Sequence, residues 1–224
     1  PPTANAGLDA ILTCSTTSVT IGTTAIAGTT YSWSPSNGLS NPNIAQPTAS
    51  QTGTFTVTAT NTSNGCTATD AVTITQNITA PIANAGLDKT LNCTTTSVQI
   101  GTAAVAGVTY VWSPTNGLSN PNIAQPTASQ AGTFTVTATN SSNGCTATDA
   151  VTITQSAVPP TADAGLDKIL TCSTTSVQIG TTATAGITYS WSPTNGLSNP
   201  NIAQPTASQA GTFTVTATNT SNGC

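Results

Sequence analysis

The chain has 224 residues and a net charge of −4, with two lysines, six acidic residues and no histidine. Acid–base catalysis and metal binding draw mainly on histidine, paired carboxylates or clustered cysteine, so this composition predicts no enzyme and no cofactor. Two cations cannot neutralise a run of phosphates, which excludes nucleic acid as a partner. No apolar stretch reaches the length of about 18 residues that membrane insertion requires.

A long internal repeat organises the sequence, and its period is the spacing of Cys14 and Cys93 (93 − 14 = 79). Other residues keep this spacing, namely Cys172 after Cys93, then Trp33, Trp112 and Trp191, and Cys66, Cys145 and Cys224. A fixed period of this kind indicates an array of similar folded units. We therefore predict three domains, at residues 2–80, 81–159 and 160–224.

Within a repeat, apolar and polar residues alternate with the period of two that is typical of strands with one buried face. The prolines and Asn-Gly pairs between Pro35 and Pro47 indicate an irregular connection. Asn64-Gly65 predicts a hairpin before the final strand, because both residues tolerate a positive φ. In chain order, the residues of the first repeat that we expect to face inward are Val19 and Ile21, Tyr31 and Trp33, Phe55, Val57 and Ala59, and Val72 and Ile74.

These elements predict an all-β fold of tandem Ig-like β-sandwiches, with about seven short strands each and a tryptophan on the third strand. Motifs across each whole repeat resemble the PKD type of Ig-like domain; in the first repeat they are PTANAGLDAIL, SVTIG, TYSWSP, AQPTAS, GTFTVTATN and TDAVTIT. The most similar variant occurs in tandem in large secreted surface proteins of gliding and related bacteria. The segment SPSNGLSNPN replaces the aspartate- and glycine-rich turn of many PKD domains, so properties of that turn do not carry over.

The resemblance implies a stalk or filament segment of a secreted or cell-surface protein, a rigid spacer that supports adhesion, with the repeats end to end in a rod. Only a few residues around Pro81 separate the predicted last strand of the first repeat, near Thr75, from the second repeat, which favours limited flexing. The alternative is an adhesive module that itself binds a carbohydrate or another surface. Expected partners are further repeats of the same or identical chains, and a surface polymer or glycan is the second candidate.

Two cysteines in each repeat of an extracellular-type chain favour disulfides, and two pairings are open. With standard Ig topology, Cys14 ends the first strand at one pole and Cys66 follows the hairpin at the opposite pole, roughly 25 to 30 Å away. Disulfide Cα atoms lie within about 7 Å, which favours pairing between neighbouring repeats. The favoured pairs are Cys14–Cys145 and Cys93–Cys224. Pairing within a repeat, Cys14–Cys66 and Cys93–Cys145, is the alternative if the first strand runs differently.

The third repeat stops at Cys224, before a counterpart of the final strand of the first repeat. We favour the explanation that the sequence is an excerpt of a longer array, in which Cys66 and Cys172 pair with the repeats before and after it. In the alternative, another chain donates the strand.

Repeated aspartates are weak candidates for a Ca²⁺ site, since carboxylate oxygens are its preferred ligands. They are Asp9 and Asp88 in the AGLD motif, and Asp70 and Asp149 in the TDAV motif. Aspartates in turns usually accept backbone hydrogen bonds instead, so we predict no metal site. The tryptophans could line a sugar-binding platform, but a tryptophan on the third strand of such a sandwich is usually buried. We therefore predict that Trp33, Trp112 and Trp191 form the cores.

Overall fold

The computed structural model describes all 224 residues and contains strands but no helix. No segment therefore has the long apolar helix with which a chain can cross a membrane. The strands of the first repeat are β1 Ala10–Thr13, β2 Val19–Thr20, β3 Thr29–Ser34, β4 Thr48–Ala49, β5 Gly53–Asn61 and β6 Thr67–Asn77. Those of the second are β7 Lys89–Asn92, β8 Val98–Gln99, β9 Val108–Ser113, β10 Thr127–Ala128, β11 Gly132–Asn140 and β12 Thr146–Ser156. Those of the third are β13 Val177–Gln178, β14 Ile187–Ser192, β15 Thr206–Ala207 and β16 Thr214–Asn219.

Each of the first two repeats is an Ig-like sandwich of a four-stranded sheet and a two-stranded sheet. In the first repeat the larger sheet has the order β1-β6-β5-β3, and β2 pairs with β4 in the smaller one. β1 runs parallel to β6, while all other neighbours are antiparallel. The prediction of tandem Ig-like sandwiches is confirmed, with six strands per complete repeat where about seven were expected.

The core of each complete repeat comes from the alternation of apolar residues with threonine. Along β5, Phe55 and Val57 are each 1% exposed, and Thr54 and Thr56 point away from them. Threonine and valine suit a pleated surface with one buried face, which is why this segment forms a long strand. Nine buried residues form the core of the first repeat: Ala6, Leu12, Ile21, Trp33, Ala49, Phe55, Val57, Val72 and Ile74.

The hairpin between β5 and β6 forms where Asn64-Gly65 predicts it, but its turn has a different geometry. The amide of Asn61 donates to the carbonyl of Cys66, and the amide of Gly65 donates to the carbonyl of Asn61 (both 2.9 Å). Gly65 has a φ of 69°, and no residue other than glycine has a positive φ. The turn therefore spans four residues, and only its glycine needs the left-handed conformation.

The connections between repeats are longer than we expected. β6 ends at Asn77 and β7 begins at Lys89, so the intervening segment exceeds the few residues predicted from sequence. Its second half packs on the second repeat, since Ala85 is fully buried and its carbonyl accepts from the amide of Gly101 (2.8 Å). The AGLD motif is therefore part of the following sandwich although it is not a strand.

Candidate functional site at the junctions between repeats

The strand order places the two cysteines of a repeat at opposite poles. Thr13, which precedes Cys14, pairs with Asn77 at the end of β6. Cys66 precedes Thr67 at the start of β6, which has 11 residues. At about 3.3 Å per residue these positions lie about 36 Å apart, far beyond the about 7 Å that a disulfide allows. We call the end with the β5–β6 hairpin the N-terminal pole and the end with Cys14 the C-terminal pole.

Disulfides join the C-terminal pole of one repeat to the N-terminal pole of the next. Cys14 is bonded to Cys145 and Cys93 to Cys224, each with a Cα–Cα distance of 4.9 Å. These are the inter-repeat pairs, and the pairs within a repeat do not form. Cys66 and Cys172 are free and exposed.

A buried asparagine accompanies the first inter-repeat disulfide. Asn143, in the hairpin before Cys145, is 1% exposed. Its Nδ2 donates to Asn77 Oδ1 and to the carbonyl of Thr79, both at 3.0 Å, and its Oδ1 accepts from the amide of Cys145 at 2.9 Å. Its carbonyl accepts from the amide of Ser15 at 3.3 Å. Asn143 thus links the hairpin of the second repeat to two segments of the first.

The second junction repeats this arrangement with a changed set of neighbours. Asn222 is 5% exposed, and its Nδ2 donates to the carbonyl of Val158 at 3.2 Å. Its carbonyl accepts from the amide of Cys93, also at 3.2 Å. Ser156 stands where the first junction has Asn77, so one side-chain contact is replaced. The bond from Nδ2 to a backbone carbonyl of the preceding segment recurs at both junctions, whereas the asparagine carbonyl accepts from Ser15 in the first and from Cys93, the counterpart of Cys14, in the second.

The glycine between Asn143 and Cys145 is required because this part of the hairpin closely approaches the neighbouring repeat. Gly144 has a φ of 70°, and a Cβ added to it would lie 2.7 Å from the Cβ of Ser15. Real side chains do not approach so closely, and the left-handed conformation disfavours other residues as well. The tripeptide Asn-Gly-Cys therefore supplies a polar link, a close approach and a covalent bond in three consecutive positions.

The first repeat shows the same hairpin without a neighbour. Asn64 is exposed, yet its Oδ1 accepts from the amide of Cys66 at 3.0 Å, as in the two junctions. Cys66 is exposed, whereas Cys145 is 1% exposed. The hairpin of the first repeat therefore has the same internal geometry as the two hairpins that form disulfides, although its own cysteine is unbonded.

The aspartates lie apart from these junctions and bind backbone amides. Asp70 Oδ2 accepts from the amide of Ala6 at 2.8 Å, and Asp9 Oδ1 accepts from the amide of Thr73 at 2.8 Å. Asp149 and Asp88 make the equivalent bonds in the second repeat, to Ala85 and Thr152 at 2.8 and 2.7 Å. These bonds fasten the AGLD segment to β6 or β12. No three potential metal-binding side chains among His, Cys, Asp and Glu lie together anywhere in the chain.

The tryptophans lie in the sandwich cores. Trp33, Trp112 and Trp191 are at most 3% exposed. Each Nε1 donates to a carbonyl of the irregular connection that follows, such as Ile44 for Trp33 at 2.9 Å. In the first repeat the neighbouring tyrosine, Tyr31, is partly buried, and its hydroxyl accepts from the amide of Ile26 at 2.9 Å. The tryptophan rings therefore fix the long connection to the sandwich and present no aromatic face to solvent.

Asn143 and Asn222 were not identified from the sequence as junction residues. Their tripeptide Asn-Gly-Cys was interpreted only as a turn, because Asn-Gly explains a hairpin by itself. The available signal was the identity of this tripeptide in all three repeats, ending in a cysteine predicted to bond with a neighbour.

Comparisons with known proteins find similar tandem arrays among solved structures. No protein-family model and no curated protein sequence matches the chain. An I-band fragment of titin has a TM-score of 0.36 and 12% identity, covering 93% of this chain and 89% of that one. The three N-terminal domains of the outer capsid protein Hoc of bacteriophage RB49 give 0.34 and 15%, covering 94% and 88%. The eight N-terminal Ig domains of Down syndrome cell adhesion molecule give 0.38 and 13%, covering 97% and 40%. The Ig-like assignment rests on the sheet order and core of the two complete repeats.

Proposed function

We propose that this chain is a structural segment of a stalk or filament in a secreted cell-surface protein, where it holds another part of that protein at a distance. The observation that carries this proposal is the covalent bond at each junction, from Cys14 to Cys145 and from Cys93 to Cys224. A disulfide between neighbours limits their relative motion, which benefits a spacer and serves no purpose in a chain of independent binding modules. Disulfides also form and persist in oxidising compartments, which supports an extracellular location.

The surface of the repeats supports a passive role. Charged residues make up only 4% of the chain, and threonine occupies the outward positions of the long strands. Such a surface has little electrostatic attraction for other molecules and depends little on ionic strength. The resemblance to PKD-type repeats of bacterial surface proteins, carried by the YSWSP and TDAVTIT motifs, supports a bacterial origin and the same role.

Further repeats are the partners that the junctions support. The N-terminal pole of the first repeat carries Asn64 and Cys66 in the geometry that Asn143 and Cys145 have at a closed junction. Cys172 stands at the position that bonds forward in the first two repeats. These groups fit repeats of the same kind, from the same or an identical chain.

The alternative function, a module that itself binds a carbohydrate or surface polymer, gains no support from the aromatic residues. Trp33, Trp112 and Trp191 are buried, so they are not placed to stack on sugars. A glycan-binding role would need another surface of the repeat.

Small-angle X-ray scattering on the full chain tests the stalk proposal. Three repeats of about 36 Å each, with neighbouring poles held together by disulfides, predict a maximum dimension of about 120 Å. The matched control replaces Cys14, Cys93, Cys145 and Cys224 with serine, and we expect more bending and a lower mean end-to-end distance. A wild-type particle shorter than two thirds of the predicted dimension would mean that the repeats fold back on each other, which contradicts a stalk.

A further inference from the structure

The disulfides create a covalent route along the array that is much shorter than the chain itself. Cys145 lies at the N-terminal pole of the second repeat, and Cys172 occupies in the third repeat the position of Cys14 and Cys93. Their separation in sequence is only 172 − 145 = 27, and the chain between them leads through β12, the connection and the start of the third repeat. A covalent route therefore starts at Cys14, at the C-terminal pole of the first repeat, and crosses the disulfide to Cys145. From there it spans the second and third repeats within this short stretch of chain.

A second route of the same kind runs beside the first. Cys66 and Cys93 have the same separation (93 − 66 = 27) and are joined by β6, the connection and β7, and Cys93 continues through its disulfide to Cys224. In the second repeat the two routes are direct neighbours, because β7 pairs in parallel with β12, from Lys89 opposite Ile153 to Asn92 opposite Ser156. Both point from the N-terminal to the C-terminal pole.

The extended length of these routes leaves little room for stretching. A stretch of this separation spans at most about 92 Å when fully extended. Two strands of the length of β6 and β12, placed end to end, already span about 72 Å. The covalent stretch across each pair of repeats can therefore lengthen by only about 20 Å, which we call its slack, even if the rest of the sandwich unfolds.

Most of each repeat lies outside the two routes. Residues 94–144 contain β8 to β11 and Trp112, and they connect Cys93 to Cys145 within the second repeat. Both ends of this segment are attached to neighbouring repeats by disulfides. Pulling on the array therefore cannot separate the two ends of the segment by more than the slack of the routes.

We infer that axial tension in this array passes through two parallel covalent paths, formed by the inter-repeat disulfides with the first and last strands of each repeat, and bypasses the middle segment of each repeat, which carries its tryptophan. The array resists extension through its covalent connectivity, and the folding stability of a core does not limit its tensile strength. This inference deepens the proposed function, on which it rests for its biological meaning. The scattering experiment tests whether the repeats form a stalk, whereas the pulling experiment below reads the tension path of the molecule itself.

Single-molecule force spectroscopy on the full chain tests the inference. One handle is attached at the N-terminus and the other at the Cys172 thiol, in a background with Cys66→Ser so that only one free thiol remains. The path through the Cys14–Cys145 bond has 13 residues before it and 27 after it, which limits the extension to about 140 Å. After reduction the limit rises to that of 171 residues, about 580 Å. Before reduction we expect no stepwise lengthening from unfolding of residues 94–144.

Two double variants, each lacking one disulfide, form a matched pair of controls. In Cys14→Ser/Cys145→Ser, the shortest path runs through Cys93 and Cys224, and the limit rises to about 490 Å, about 3.5-fold. In Cys93→Ser/Cys224→Ser, the limit stays at about 140 Å although the same number of disulfides is lost. The limit depends on connectivity alone, so it stays readable if a variant folds poorly. A free-thiol count verifies the remaining bond. An unreduced wild-type extension well above its connectivity limit, or equal limits in the two variants, overturns the inference.

Discussion

The second and third repeats have nearly the same sequence up to Cys145 and Cys224, yet their cores differ at one end. Trp112 and Trp191 are buried equally, at 0% and 1% exposure. Phe134 is 1% exposed, whereas its counterpart Phe213 is only partly buried. The tryptophan end of the core is closed in both repeats, and the phenylalanine end is closed only in the second.

The order of the strands explains this difference. β12 lies between β7 and β11 in the second repeat. The third repeat has no counterpart of β12 within the 224 residues, and its segment equivalent to β7 forms no strand. An open cleft of about 420 Å³ lies in its place, lined by apolar residues that include Leu170, Ile179 and Phe213.

The final strand of a repeat therefore controls burial at the phenylalanine end of its core. The first strand of a repeat depends on the last, because it has no other neighbour in the sheet. The tryptophan and the irregular connection close on each other without either strand, since Trp191 Nε1 still donates to the carbonyl of Ile202 at 3.0 Å. In each repeat, the tryptophan end of the core is therefore built from residues close in sequence, whereas the phenylalanine end forms only when the final strand is in place.

A charge in β12 should make the second repeat resemble the third. Val151 is 1% exposed, so Val151→Asp buries an unpaired carboxylate and should destabilise the phenylalanine end of the core by about 4 kcal/mol or more. We expect fast hydrogen exchange in β7 and β12 while the indole of Trp112 stays buried. Gln155→Asp adds the same charge at an exposed position of β12 and should leave exchange unchanged. Slow exchange of residues 89–92 in the Val151 variant would show that the first strand does not depend on the last.

Replacing the junction asparagine should lower stability by a smaller amount, and the equivalent asparagine of the first repeat serves as the control. Asn143→Ala removes the bonds to Asn77 and Thr79 in a buried position, and should cost about 2 kcal/mol of junction stability. Asn64→Ala removes the equivalent residue of the first repeat, which is exposed and bonds only within its own hairpin, so its cost should be less than about 1 kcal/mol. Denaturant unfolding in the presence of reductant measures both costs without the disulfides. Equal costs would contradict a role of Asn143 in joining the repeats.

Replacing one aspartate in the second repeat and its counterpart in the third should give a small difference in stability between the two repeats. Asp88→Ala removes the acceptor for the amide of Thr152 and should destabilise the second repeat by about 1 kcal/mol. Asp167 is its counterpart in the third repeat, where no residue corresponds to Thr152, so Asp167→Ala should have almost no effect. Hydrogen exchange resolved by repeat measures both changes. A similar loss in both variants would mean that the aspartate acts within its own loop.

Much of the fold could be predicted from the sequence, because it depends on local patterns. Alternation in TFTVTAT predicts a strand with one buried face, and β5 buries Phe55 and Val57 as expected. The strand count and the connection length were less accurate. Residues such as the AGLD segment pack on the sandwich without sheet partners, and sequence does not distinguish them from strands.

The junction was only partly predictable. Its cysteines could be assigned to opposite poles because strand length sets a distance that no disulfide can span. The role of Asn143 depends on contacts with Asn77 and Thr79, which lie in another repeat. No local pattern encodes such a contact, since the same Asn-Gly-Cys hairpin forms at Asn64 without any neighbour.

The crossed connectivity of the cysteines also constrains how the molecule is made. As the chain emerges from its N-terminus, Cys66 becomes available long before Cys145, the partner of Cys14, which lies 131 residues further along. Folding of the first repeat separates Cys14 from Cys66 by the length of β6, about 36 Å, and so prevents the premature bond. Correct oxidation therefore depends on each sandwich forming before its cysteines react. During biosynthesis, the first cysteine of the most recently folded repeat stays unpaired until the hairpin of the next repeat has been made.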